Sequence, residues 1–354
     1  MPLTDKILLN VLKGQHSWPP PIWLMRQAGR YLPEFKKLKQ QTDFLTRCLH
    51  SDLAVEITLQ PLQRFAFDAA ILFSDILILP WAMGQELHFV EGKGPRLPPI
   101  TSQKELELLR PEKIIEKTEP ILETIRRLNC ILNSTSQTHK PSLASPALIG
   151  FAGSPFTVSC YMIEGGSSKD FSIVFQMIYK NTALFNRLID LLVQTTADYL
   201  CRQIEAGAEV IMLFDSWAGI LPMSLFQAYV INPTKQIVRQ LQKKHFHTPI
   251  IGFPRLAGTK LFAYVQQTGL KAIGLDQTAD INFLNQYINE EIVFQGNLDP
   301  LCLLNNKKIM QDETFKICQT LKNRPHIFNL GHGILPSTPL ENVYQLVEYL
   351  RALI

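Results

Sequence analysis

Pro21-Ile-Trp-Leu-Met-Arg-Gln-Ala-Gly-Arg-Tyr-Leu-Pro-Glu34 holds the unit from which the rest of the chain is built. Its apolar part, residues 21–25, predicts a short buried strand. The chain then breaks into Arg26-Gln27-Ala28-Gly29-Arg30, two guanidinium groups around a glycine, and Pro33 suits the first turn of a helix because it needs no N–H donor there. A strand that delivers two arginines into a loop predicts an anion receptor, since a guanidinium matches a carboxylate or phosphate with two parallel hydrogen bonds. Arg26 and Arg30 are also four apart, the spacing of neighbours on a solvated helix face. Gly29 and Pro33 argue against a continuous helix.

The same alternation of apolar run and helical pattern recurs along the chain. Further runs are Ala69-Ala-Ile-Leu-Phe-Ser-Asp75, Ala147-Leu-Ile-Gly-Phe-Ala-Gly-Ser154, Ala208-Glu-Val-Ile-Met-Leu-Phe-Asp-Ser216 and Pro249-Ile-Ile-Gly-Phe-Pro254. Ala272-Ile-Gly-Leu-Asp276, Ile292-Val-Phe-Gln-Gly-Asn297 and His326-Ile-Phe-Asn-Leu-Gly-His332 complete eight candidate strands. Helices are expected over 42–65, 103–132, 169–206, 224–244, 261–268, 280–288, 307–321 and 339–353. Near-continuous apolar strands alternating with helices predict a parallel sheet covered on both faces. Eight such units in 354 residues match an α/β (β/α)8 TIM barrel. An open doubly wound sheet is the alternative, but no GxGxxG follows the first strand and no P-loop occurs. Gly92-Lys-Gly-Pro-Arg96 predicts a hairpin turn and residues 133–146 a surface loop. No low-complexity linker divides the sequence, so one domain over 1–354 is expected.

Composition narrows the function classes. The chain is 46% hydrophobic and 19% charged, enough for a sizeable core. A net charge of +4 from 35 basic and 31 acidic residues does not by itself imply nucleic-acid binding. The six cysteines, at 48, 130, 160, 201, 302 and 318, form no CxxC pair, as expected of reduced thiols in a cytoplasmic protein. The first ten residues carry no secretory signal pattern, and no apolar stretch is long enough to span a bilayer.

In a barrel the chemistry sits at the C-terminal ends of the strands. That selects Arg26, Gln27, Arg30, Asp75, Ser154, Asp215, Ser216, Arg255, Asp276, Asn297 and His332. Asp75 is the sharpest, because a carboxylate inside Ile-Leu-Phe-Ser-Asp-Ile-Leu-Ile-Leu is costly to desolvate unpartnered. Its ordinary alternative is a helix cap. His332, between two glycines, either meets a ligand or is satisfied in a tight turn. Tyr161 is expected on a helix that opens after Ser154-Pro155, where packing is the usual role. Ser216 lies between Asp215 and Trp217 with no adjacent histidine, so hydrogen bonding suits it better than acyl chemistry. Asp215, Asp276 and Asp299 could equally cap the segments that follow them. No HExxH or HxC occurs, and His245-Phe-His247 precedes a strand, so no catalytic metal is expected. No lysine ends a strand, which disfavours Schiff-base chemistry.

These residues carry a resemblance. Residues 21–34 resemble the N-terminal signature of the uroporphyrinogen decarboxylase family. Ile-Leu-Phe-Ser-Asp-Ile-Leu, Gly-Phe-Ala-Gly-Ser-Pro-Phe-Thr, Tyr-Met-Ile-Glu-Gly-Gly, Gln-Gly-Asn-Leu-Asp-Pro and Asn-Leu-Gly-His-Gly-Ile are similar to further motifs of the family, in order along nearly the whole chain. The resemblance implies a single barrel, a homodimer, and conversion of uroporphyrinogen III to coproporphyrinogen III in haem and other tetrapyrrole biosynthesis. Four acetate side chains would lose CO2 and become methyl groups without a metal or organic cofactor. By motif position, Arg26 and Arg30 are implied to bind substrate carboxylates, with Gln27, Ala28 and Gly29 shaping their loop. Asp75 is implied to accept from the pyrrole N–H groups, and Tyr161, Ser216 and His332 to contact the acidic side chains. Asp75 and Arg26 are the expected catalytic pair; Arg26, His332 and a water-relayed acid are the candidates for proton donor. The 133–146 loop is longer than the family pattern, and Gln277 stands where tryptophan is common. The competing readings are a methyltransferase on a related barrel and a tetrapyrrole carrier without catalysis.

Overall fold

The apolar runs pair in chain order. A computed structural model describes residues 5–90, 92–134 and 145–353. Its strands are β1 (Ala69–Ile71), β2 (His88–Val90), β3 (Gly94–Arg96), β4 (Ala147–Gly153), β5 (Val210–Asp215), β6 (Ile250–Pro254), β7 (Ala272–Gly274), β8 (Val293–Gln295) and β9 (His326–Ile327). β1-β4-β5-β6-β7-β8-β9 form one curled parallel sheet of seven strands, while β2 and β3 make an antiparallel hairpin. Nearly every residue of the parallel strands is buried, as helices on the outer face and side chains on the inner face require.

Among the described residues the parallel sheet therefore has seven strands, not eight. Residues 21–25, expected as the first strand, meet the sheet at a single bridge between Ile22 and Phe328. The reason is chemical. Pro19, Pro20 and Pro21 have no N–H to donate to a ladder. Further on, side chains take the donors: Ile22 N–H goes to Asp68 Oδ2 at 2.6 Å, Leu24 N–H to Gln27 Oε1 at 3.0 Å and Met25 N–H to Asn329 Oδ1 at 2.9 Å. Backbone bonds from Asp68 N–H to Ile22 C=O (2.8 Å) and from Phe328 N–H to Pro21 C=O (2.8 Å) still tie the segment to its neighbours on both sides. Asp68 also pairs with Arg351 at 2.7 Å, so one buried carboxylate fastens this segment to the last helix, Leu340–Arg351.

Four expected helices are interrupted. Residues 42–65 form Phe44–Leu49 and Ser51–Arg64, the first capped by Asp43 accepting from Thr46 N–H. Residues 103–132 begin with a capping box of Ser102 and Glu105 on Gln103–Glu107 and resume as Ile114–Asn133. Residues 169–206 divide at Asn181 into Ser172–Lys180 and Thr182–Glu205, and 224–244 contain a π turn, Gln227–Ile231, before Asn232–Lys244. The hairpin expected at 92–96 is present, with Gly94–Arg96 as its second strand. Most of the loop expected over 133–146, and the start of the chain, lie outside the described residues. The buried apolar side chains form one contiguous cluster with a small satellite of Leu77, Leu87 and Leu97. Among the described residues no helix is long and apolar enough to cross a membrane.

Candidate active site

Beyond Met25 the chain turns sharply. Arg26 adopts a positive φ of 63°, and the following turns lead into the helix Pro33–Gln41, with Pro33 at its first position. Arg26 and Arg30 thus lie on a turn, not a helix face, and both line a cavity of about 990 Å³. Ala28 and Gly29 line it too. Gln27 points the other way: it is fully buried, its Nε2 donates to Ala69 C=O at 2.9 Å, and it braces the turn from below. Burial lowers the Arg26 pKa, with Arg30 adding to the effect, while Asp75 and Tyr161 oppose it.

Asp75 comes four residues after β1 ends, in an irregular stretch before the short helix Ile78–Ala82. Its Oδ1 accepts from Leu77 N–H at 2.8 Å, a local turn bond, and the residue also lines the cavity. The helix itself has Leu77 at its N-cap and no side-chain cap, so Asp75 closes a turn before the helix and does not cap it. Burial raises its pKa, while Leu77 N–H and Arg26 pull it down. Burial thus disfavours the Asp75 anion, and Arg26 is the cation that acts on it.

Tyr161, Ser216 and His332 line the same cavity. Tyr161 projects from the helix Pro155–Glu164, which follows β4, and burial raises its pKa. Ser216 directly follows β5. His332 follows β9, where burial first, then Arg26 and Arg255, push it down to about 4, so the imidazole is neutral at pH 7. Its flanking glycines serve the protein: a Cβ on Gly331 would stand 2.2 Å from the Gln277 backbone nitrogen, and Gly333 packs on Arg26. Gln277, singled out for replacing a tryptophan, is therefore pressed against the histidine turn.

Sequence reasoning missed the apolar wall. Phe151, Phe214 and Phe253, together with Phe73, line the cavity. Phe214 and Phe253 are paired across β5 and β6, and the rings of Phe151 and Phe214 meet edge-on at 5.4 Å. Their signal was a phenylalanine near the end of three successive runs, which counted there only as part of an apolar strand.

Other strand-end candidates do structural work. Asp276 accepts from Thr278 N–H at 2.8 Å and Leu256 N–H at 2.6 Å. Asn297 donates to the carbonyls of Asp276 and Ala279, and Asp299 caps the turn Pro300–Leu304 through Leu301 N–H. Ser154 is buried, and Asp215 accepts from the Thr157 hydroxyl at 2.5 Å. Arg255 lies close enough to Arg26 and His332 to bias both. His245 and His247 precede β6, at the end of the sheet away from the cavity. Among the described residues no three His, Cys, Asp or Glu side chains are grouped to hold a metal ion.

The site is an apolar-walled cavity whose lining also holds two arginines, a carboxylate, a tyrosine, a serine and a neutral histidine. Its volume lies at the upper end of small-molecule pockets. Such a cavity suits a large, flat, polyanionic ligand that presents N–H donors or develops positive charge. The family model described as Uroporphyrinogen decarboxylase (URO-D) matches residues 3–353. The uroporphyrinogen decarboxylase of Gluconobacter oxydans (strain 621H) is 51% identical over 352 residues, covering 99% of this chain and 97% of that one. That of Acidiphilium cryptum (strain JF-5) is 49% identical over 350 residues, covering 99% and 95%. Among solved structures, a methyltransferase from Methanosarcina mazei superposes with a TM-score of 0.76 over 99% of both chains at 16% identity, a likeness of fold alone.

Proposed function

The chain belongs to the uroporphyrinogen decarboxylase family, whose members are carboxy-lyases, and we propose that the cavity lined by Arg26 and Asp75 is where it acts. The substrate is uroporphyrinogen III, and each of its four acetate side chains leaves as CO2 with a methyl group remaining. The observation that carries this reading is that the Asp75 carboxylate, which burial disfavours as an anion, and the Arg26 guanidinium, which acts on it electrostatically, line one cavity.

Protonation of a pyrrole ring carbon gives a cationic, electron-poor ring. The C–C bond to the carboxylate then breaks and its electron pair flows into that ring as CO2 departs; a proton adds to the exocyclic carbon to complete the methyl group, and the proton first placed on the ring carbon leaves, restoring the neutral aromatic pyrrole. The substrate is its own electron sink, so no organic cofactor is required. Asp75, accepting from the pyrrole N–H groups, stabilises the cationic ring more than the neutral one, which is the condition for rate acceleration. A buried anion lacking full compensation gains most from an arriving cation. Arg26 and Arg30 orient substrate carboxylates, and the phenylalanine wall thins the water around these contacts and strengthens them. The burial that lowers the Arg26 pKa supports Arg26 as participant in proton transfer. Gln27, Ala28 and Gly29 hold the arginine turn, while Tyr161, Ser216 and His332 contact the remaining acidic side chains.

The same proposal makes residues 21–25 the eighth stave closing a (β/α)8 barrel, supported by their backbone bonds to both sheet edges. It makes the chain one domain, supported by the continuous core, and a cytoplasmic homodimer, which sedimentation tests. Anaerobic incubation with uroporphyrinogen III and a chelator, followed by separation of oxidised products by carboxylate number, tests the activity. Successive seven-, six-, five- and four-carboxylate species are expected. Unchanged substrate that stays bound would favour a carrier, and neither binding nor turnover would favour a methyltransferase.

A further inference from the structure

We propose that Thr157 is a positioning residue that sets the separation of Tyr161 from Ser216. The inference rests on the reading that those two side chains contact the substrate. Thr157 and Tyr161 lie four apart on the helix Pro155–Glu164 and therefore share a face. Ser216 belongs to a different segment, the end of β5, and nothing in the helix itself fixes its place. Thr157 supplies the link. Its hydroxyl donates to Asp215 Oδ1 at 2.5 Å and accepts from Trp217 N–H at 3.0 Å. Asp215 and Trp217 are the residues on either side of Ser216, so one hydroxyl grips the serine's turn from both flanks.

Further contacts stiffen the same unit. The Thr157 backbone N–H also turns toward the Asp215 carboxylate, and the Asp215 carbonyl accepts from Arg255 N–H at 3.0 Å on the next strand. The Trp217 ring leans on Tyr161, with centroids 6.3 Å apart, and on Phe171 at 4.9 Å. Thr157 is fully buried and Asp215 is 1% exposed, and neither lines the cavity, so both act through the residues they hold. The job demands a hydroxyl. Asp215 Oδ1 accepts here and the Trp217 N–H donates, and a group bridging them must do both.

The test uses the full-length chain, with steady-state kinetics on uroporphyrinogen III and thermal melting. Thr157→Val removes the bridge and keeps the shape; Thr157→Ser keeps the bridge. Displaced binding groups predict a KM about tenfold higher in Thr157→Val with kcat within about twofold of the parent, and KM restored in Thr157→Ser. A helix-capping role alone lowers the melting temperature and leaves KM where it was. Should the valine variant not fold, Thr157→Ala carries the same expectation without added bulk. Ser216→Ala and Tyr161→Phe are measured beside them. A raised KM in those two with an unaltered KM in Thr157→Val, or with no rescue by serine, overturns the positioning role. An unaltered KM in Ser216→Ala and Tyr161→Phe overturns the contact reading beneath it.

Discussion

Gly333 leaves the space that the Arg26 side chain fills: a Cβ built there would stand 2.3 Å from Arg26 Cδ and 2.7 Å from its Cγ. Those atoms belong to the middle of the side chain, so the guanidinium cannot keep its place if they move. Gly333 does not need a positive φ, and alanine brings no backbone strain. Gly333→Ala is therefore expected to raise KM about 10- to 100-fold, the usual cost of misplacing a binding group by about an ångström. Thermal stability should fall only slightly. Kinetics and melting of the same sample check both halves.

Arg324 predicts a loss of the opposite kind, in stability without a direct part in the site. Its guanidinium stacks on Phe294 at 4.2 Å and donates to Asn285 Oδ1 and to the carbonyls of Asn285, Ile288, Asn289 and Ile292. It thereby closes the C-terminal end of the helix Ile281–Tyr287 and pins the entry to β8. Arg324→Ala leaves several buried carbonyls unpaired and should cost roughly 3–5 kcal/mol. Arg324→Lys should recover little, because a single ammonium cannot span those acceptors. Denaturant unfolding measures both.

His326 makes stability depend on pH. It is 4% exposed, its Nε2 lies 2.7 Å from Gly296 C=O, and burial pushes its pKa from 6.5 down to about 4. Between those values the unfolded chain binds a proton that the folded chain refuses, so folding weakens as pH falls through this window. At pH 5 this single group should cost roughly 2 kcal/mol relative to pH 7. Buried Asp215, pushed up to about 7, acts in the reverse sense, so the informative quantity is a difference. The stability gap between the parent and His326→Gln should change in the glutamine's favour by that amount on going from pH 7 to 5. A gap independent of pH would contradict the assignment.

Much of this was legible in the sequence because burial and backbone chemistry are written locally. The runs that end at Ser154, Ser216 and Pro254 are strands that end at Gly153, Asp215 and Pro254, and Pro33 starts its helix. Asp75 was legible because a lone carboxylate among isoleucines and leucines is expensive wherever it sits. Residues 21–25 form only one bridge and not a full strand, because several of their N–H groups go to side chains, those of Asp68 and Asn329 among them, brought there only by the fold. The phenylalanine wall was hidden because an inward-facing aromatic in a strand reads as core whether it meets another side chain or a cavity. The glycines beside His332 read in the sequence as room for a ligand, whereas Gln277 and Arg26 are what stand against them.

Asp75→Asn, assayed anaerobically on uroporphyrinogen III, tests the central claim most directly. The amide keeps the size of the side chain and can still accept from Leu77 N–H, so the fold and substrate binding should survive. Loss of the charge should lower kcat by about 10²–10³-fold, the scale seen when a preorganised electrostatic group is removed. Turnover near that of the parent would contradict the assignment of Asp75 as the group that stabilises the cationic ring.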